Sequence, residues 1–280
     1  MAGRRAPAAV VGQSWPGSRP TRRWWPVVGA VAGAANANFL LHPFVGSPLA
    51  PSSTAISLLS APGQPAAGAF RAADLTAGVL ALALAAGTAA TGSARGSGGG
   101  GGAGRRVAAV AETAGLAAFG VGTVGAAAIT PTPGRVRRSH TAGSTAPARS
   151  PRDVVHDAVS ILASVGTVVG CTALPALVGR SRVAGTGSRG PLTAALLAVA
   201  VVAVTVAEAA TDVAGVRSGS GWLQRAEVAA ASGWLAVAGS LLSPPGPSGP
   251  DTSDPDAGSG PDGGRPDAGG GGRSGGGRTP

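Results

Sequence analysis

The sequence predicts an all-α protein: an integral membrane bundle of about six transmembrane helices with disordered N- and C-terminal tails. Three observations carry that expectation. Only 12% of the 280 residues are charged, about half the share usual for a soluble domain. Mean hydropathy is +0.26 although both ends of the chain are polar, so the middle is strongly apolar. The apolar material falls into six blocks, each close to the roughly 20 residues a helix needs to cross a hydrocarbon core of about 30 Å. The blocks run over about Trp25–Phe44, Gly68–Thr91, Val107–Thr130, Val154–Val178, Leu192–Thr211 and Trp222–Leu242.

Each block has its own marks. Trp24 and Trp25 stand at the start of the first and Trp222 at the start of the sixth, where an aromatic belt would place them. The second follows a Pro/Gly turn and carries Arg71 and Asp74 near its start. The third follows the Gly-rich stretch Ser93–Gly104, a linker by composition, and runs into Pro131 and Pro133. The fourth opens on His156 and Asp157, and the fifth is the most uniformly apolar. Ala, Gly and Thr dominate all six. Such small residues make a poor core in water, but in lipid they let helices approach closely. The chain therefore divides into a basic N-terminal segment (1–23), a six-helix transmembrane domain (24–242) and a Pro/Gly/Asp-rich tail (243–280). Neither end has an apolar run with which to bury a core.

Charge gives orientation. All 22 basic residues are Arg, against 12 acidic ones, for a net charge of +10. Arg clusters before the first block (Arg4, Arg5, Arg19, Arg22, Arg23), between the second and third (Arg95, Arg105, Arg106) and between the fourth and fifth (Arg180, Arg182, Arg189). Six alternating helices put these on one side, which the positive-inside rule makes cytoplasmic. Both termini then face the cytoplasm of a multi-pass cell-membrane protein. The third connection opposes this, with Arg135, Arg137, Arg138, Arg149 and Arg152 on the exterior side. Thr21-Arg22-Arg23-Trp24-Trp25 has the look of a twin-arginine signal, with Ala35-Asn36-Ala37 as a cleavage site. Five further blocks follow, so the first is expected to stay uncleaved as a span. Anionic headgroups account for the arginines. Nucleic acid is not expected as a partner, because interleaved aromatics and a recognisable binding fold are missing. The expected partner is the lipid bilayer; the sequence sets no oligomeric state.

Few motifs carry chemistry. Gly120-Val121-Gly122-Thr123-Val124-Gly125 matches a dinucleotide fingerprint, but it lies inside an apolar block rather than between a strand and a helix. It reads as helix packing, as do Gly29-x-x-x-Gly33 and Gly166-x-x-x-Gly170. One cysteine, Cys171, excludes an internal disulfide. The three histidines, His42, His140 and His156, show no metal-binding spacing. No cofactor is expected.

Ionisable groups within the blocks are more informative, since lipid makes them costly unless they are paired or line a wet cavity. The polar-cavity candidates are Arg71, Asp74, Glu112, His156, Asp157 and Glu208. Arg71 and Asp74 are three apart, in reach of one another on a helix. Glu208 and Asp212 end the fifth block, and Arg225 and Glu227 begin the sixth. His156, Ser160, Ser164 and Thr167 form one polar stripe, whose hydroxyls are expected to bond across helices. Most of these groups lie near predicted helix ends, which favours snorkelling or capping over chemistry.

Ser57-Leu58-Leu59-Ser60-Ala61-Pro62-Gly63-Gln64-Pro65, followed by Phe70-Arg71-Ala72-Ala73-Asp74-Leu75-Thr76-Ala77-Gly78, resembles the first-loop and second-helix pattern of the bacterial six-span membrane family catalogued as domain of unknown function 998. The Gly-rich third block ending at Ile129-Thr130-Pro131-Thr132-Pro133, the histidine opening the fourth and the charged start of the sixth (Arg225, Glu227) are also similar. The resemblance covers roughly residues 25–242. The acidic residue usual near the proline of the third helix is missing here. The resemblance implies six membrane helices and brings no established activity. The leading expectation is an integral membrane protein of unknown molecular activity, with the balance against an enzyme. The alternatives are a small-solute or proton-coupled transporter built on Asp74, Glu112, His156 and Glu208, and a membrane-embedded metal-dependent hydrolase built on His156.

Overall fold

A computed structural model describes residues 24–96, 103–135, 150–178, 189–213 and 219–243. The sequence-based expectations for residues 1–23 and the tail from 244 onward lie outside these residues. Among the described residues the chain is helical throughout its regular structure: α1 (Trp25–Asn36), α2 (Ala67–Gly96), α3 (Ala103–Ala128), α4 (Pro151–Val178), α5 (Arg189–Val213) and α6 (Ser220–Leu241). Two 3-10 segments, Ala37–Phe44 and Ile56–Ser60, lie between α1 and α2.

The boundaries differ from expectation in two places. The first block is not one α-helix: it tightens into 3-10 winding at Ala37 and carries Pro43 inside that segment. Proline cannot donate to the helix ladder and its ring crowds the preceding turn. The Gly-rich linker is shorter than its composition suggests, because α2 continues to Gly96 and α3 begins at Ala103.

The six helices pack in chain order around a closed ring. Each touches the next, α6 returns to α1, and α6 also reaches α4 and α2. Contacts along the helices set the direction. Gly29 and Gly33 of α1 meet Gly239 and Ser232 of α6. Gly122 and Gly115 of α3 meet Ala163 and Gly170 of α4. Thr205 of α5 bonds Glu227 of α6. Neighbours are therefore antiparallel, and the ends alternate up and down.

Small residues make this closeness physically available. A β-carbon added to Gly166 would lie 2.4 Å from the Phe119 backbone nitrogen and 2.7 Å from the Gly115 carbonyl oxygen. Gly120 of the apparent dinucleotide fingerprint faces Gly78 and Leu82 of α2, and Gly122 faces Val159 and Ala163 of α4. The motif is a two-sided packing surface on α3.

Large apolar side chains sit on the outside: Val31, Val79, Val110, Val121, Ile161, Val165, Leu196 and Val206 are all exposed. The interior mixes Ala with larger side chains: Leu84, Leu116, Leu174, Phe119, Leu235 and the fully buried Trp234. Polar groups such as Glu112, His156 and Arg225 are buried as well. This distribution suits lipid rather than water. Five segments, Trp25–Phe44, Ala67–Thr91, Ala103–Ala128, Pro151–Val178 and Leu192–Thr211, are long and apolar enough to cross a membrane, so the protein is a multi-pass membrane protein. At 22 residues α6 is long enough too, spanning about 33 Å. It is less apolar because Arg225 and Glu227 turn inward.

Between α1 and α2 the chain folds over one end of the bundle. Leu49, Leu58, Leu59 and Ala61 of this segment bury together with Phe70 of α2. We call this the capped end. The segment enters α2 through Ala66 at φ 59°, a left-handed conformation that costs an L-residue about 1–2 kcal/mol. Replacing Ala66 with glycine is expected to stabilise the protein by up to about 1 kcal/mol, read as a raised melting temperature in detergent. A lower melting temperature would contradict the assigned backbone conformation.

Candidate functional site

Alternating helix direction brings the end of α1, the start of α2, the end of α3, the start of α4, the end of α5 and the start of α6 to the capped end. Five of the six candidate residues, Arg71, Asp74, His156, Asp157 and Glu208, lie on those terminal turns, and Glu112 does not.

The first cluster joins α6 to the cap. Gly219, at φ +88°, turns the chain into α6. A β-carbon on Gly221 would lie 2.3 Å from the Pro51 carbonyl oxygen, so the cap backbone rests directly on this first turn. Arg225 is buried there. Its Nη1 donates to the carbonyls of Pro51 (2.6 Å), Thr54 (3.2 Å) and Gly221 (2.8 Å). Its Nη2 donates to Nδ1 of His42 at 3.0 Å. Arginine has no acceptor, so this ring nitrogen carries no proton. The Ile56 backbone N–H donates to Gln224 Oε1, and Trp222 lies under the guanidinium with its ring centroid 5.7 Å away.

Beside this cluster, Asn38 of the Ala37–Phe44 segment donates to the Asp74 carboxylate of α2. The Arg71–Asp74 ion pair that their spacing permits is not formed. Arg71 instead lines an open pocket of about 280 Å³ with Gly68, Ala72, Leu75, Ala127 and Ala128. Asn36 bonds the Val228 carbonyl and Ser232 Oγ of α6.

A second cluster ties the end of α3 to the start of α4. Ser150 caps the start of α4: the Asp153 N–H donates to Ser150 Oγ at 3.1 Å and that hydroxyl donates to the Asp153 carboxylate at 2.8 Å. Pro151 occupies the first helical position, where its missing N–H costs nothing. Asp153 also accepts from the backbone N–H and the hydroxyl of Thr132, each at 3.0 Å. Arg152 bonds the carbonyl and hydroxyl of Thr130. Arg135 pairs with Asp157. Two arginines of the connection that opposed the orientation rule are thus held in local contacts. Arg137, Arg138 and Arg149 lie outside the described residues.

His156 is buried, and its Nδ1 donates to the Ile129 carbonyl at 2.6 Å while Nε2 has no partner. The stripe below it behaves otherwise than expected. Ser160 bonds the His156 carbonyl and Thr167 bonds the Ala163 carbonyl. These hydroxyls turn back onto their own helix, satisfying themselves without reaching a neighbour. Glu208 is half-buried on α5; the side chain of Asp212 lies outside the described residues.

Glu112 stands apart, nine residues into α3 and so about 14 Å from its start. It is 2% exposed. Trp234 of α6 donates its indole N–H to Oε1 at 2.9 Å. Oε2 is buried without a partner. Asp74, Glu112 and His156 therefore each answer to a different partner on a different helix pair. Among the described residues no three His, Cys, Asp or Glu side chains gather as a metal site.

Sequence reasoning did not weigh the Ser150 cap or the role of Trp234. The first has a recognisable signal, Ser-x-x-Asp before an apolar run. The second has none, because Trp234 and Glu112 are 122 residues apart.

The family model described as Protein of unknown function (DUF998) matches residues 27–241. No curated protein and no solved structure matches the chain.

Proposed function

The chain belongs to the DUF998 family, and from that premise we propose that it works as a non-catalytic cell-membrane protein whose capped-end polar residues hold the bundle together. The observation that carries this reading is how those groups are occupied. Asp153 takes donors from Thr132 and Ser150, Arg225 serves cap carbonyls and His42, and Asp74 is held by Asn38. Groups engaged in this way are used by packing and are not offered to a shared cavity.

The reading includes the partition 1–23, 24–242 and 243–280, with both termini cytoplasmic and the capped end outside. The test of function is direct. In purified, reconstituted protein, His156→Ala and Glu208→Gln are expected to change thermal stability alone. A bound metal lost in His156→Ala would overturn the proposal in favour of a hydrolase. Proton-dependent uptake lost in Glu208→Gln would overturn it in favour of a transporter.

Orientation has its own measurement. Cys171 is the single cysteine and is buried, so engineered thiols report with low background. Ser97→Cys is expected to react with an impermeant maleimide from the cytoplasmic side and Ser144→Cys from the opposite side. Same-side labelling would defeat the alternation.

A further inference from the structure

We propose that Glu112 is a proton-binding site at the heart of the bundle, and that gain and loss of its proton is transmitted to α6 through Trp234. This goes beyond the packing role assigned to the capped end, because Glu112 lies away from that end and keeps one buried carboxylate oxygen without a partner. Asp153 is surrounded by three donor groups. Glu112 receives one hydrogen bond, from the indole, and its second oxygen is buried and bare.

Among the described residues no cation pairs with Glu112. From α4 the titratable group facing Glu112 is Cys171. From α6 it meets Trp234. Beyond Phe70 the buried hydrophobic side chains of α2 are Ala77, Ala81, Leu84 and Ala85, none titratable. An anion here would rest on a single hydrogen bond in a medium that solvates charge poorly. A proton on Oε2 removes the charge and leaves the indole bond to Oε1 in place. Among the described residues no three His, Cys, Asp or Glu side chains gather around the bare oxygen, so it has no metal shell to join.

The connection to α6 is mechanical. Trp234 is wholly buried, packs edge-to-face on Phe119 with centroids 5.8 Å apart, and lies so close to Gly170 that a β-carbon there would fall 2.1 Å from the ring. Loss of the proton leaves an oxygen that must find a donor or water. The indole and its helix are the parts of the site already bonded to it.

The experiment uses the full-length protein in lipid nanodiscs and two readouts. Infrared difference spectra between wild type and Glu112→Gln, recorded from about pH 5 to about pH 10, should contain a protonated-carboxyl C=O band. The band should be absent from the variant and should disappear from wild type as pH rises. Tryptophan emission should shift over the same pH interval in wild type and not in Glu112→Gln. Trp234→Phe keeps a ring but removes the N–H, so it should retain the band at an altered frequency. No band at any pH, or a band that never titrates, would overturn reversible proton binding. A titrating band without an emission change would overturn the connection to α6. Either failure leaves the reading of the capped end standing, since that reading does not involve Glu112.

Discussion

Replacing Gly166 with leucine is expected to disrupt the bundle as a whole. Even the β-carbon would fall 2.4 Å from the Phe119 nitrogen and 2.7 Å from the Gly115 carbonyl. Both obstacles are backbone, which cannot swing aside as a side-chain tip can. The helices must separate, and α3–α4 is the most extensive helix contact in the molecule. Overfilling a packed site costs about 1–3 kcal/mol when side chains can yield, so about 3 kcal/mol or more is expected here. That is a large part of the roughly 5–15 kcal/mol that holds a typical protein folded. Gly68 provides the control: a β-carbon there meets nothing within 4 Å, and Gly68→Ala is expected to be neutral or slightly stabilising. Denaturant titration of both variants in mixed micelles separates the cases. Equal midpoints would mean that α3 and α4 are not in backbone contact.

The same contact explains why so much of the fold could be read from sequence. Close helix approach needs small residues at fixed spacing, and that spacing survives as text in Gly29-x-x-x-Gly33 and Gly166-x-x-x-Gly170. Hydrophobic length likewise marked out all six blocks, because lipid sets a minimum run of apolar residues. α6 was weaker for a physical reason. Its face toward the bundle holds Arg225 and Glu227, so inward polarity dilutes the apolar signal on which the span was judged.

The candidate site was legible only in part. Glu112 and His156 stand out because charge and imidazole are rare in such blocks, and both prove to be buried. Their partners could not be read. His156 bonds a carbonyl 27 residues away, and Arg225 bonds carbonyls 171 and 174 residues away. A backbone carbonyl has no residue-specific letter, so its role as an acceptor leaves no trace in composition or spacing. The cap itself was visible only as the first-loop pattern Ser57–Pro65. Its burial depends on Leu49, Leu58 and Leu59 meeting Phe70, a tertiary event that periodicity does not encode.

Replacing Arg225 with methionine is expected to release the cap while leaving the helices assembled. The substitution removes the donors from the carbonyls of Pro51 and Thr54 and from His42 Nδ1. A buried polar group left without a partner costs about 1–3 kcal/mol. Part of the loss is offset because methionine no longer buries a cation whose described hydrogen-bond partners are all neutral. A net loss of about 3 kcal/mol is expected, concentrated in the segment between α1 and α2. Limited proteolysis should therefore cut within residues 45–66 faster in the variant, with the remaining helices still resistant. Arg225→Lys should fall between the two. An ammonium keeps the charge but lacks the planar fork that reaches carbonyls and imidazole together. Cleavage of the cap at the wild-type rate in Arg225→Met would show that Leu49, Leu58, Leu59 and Phe70 hold it without the arginine. Faster cleavage in methionine than in lysine would assign the difference to the charge and its N–H donors, because both side chains fill a similar volume beside Trp222, and faster cleavage in lysine than in wild type would assign the remainder to the fork.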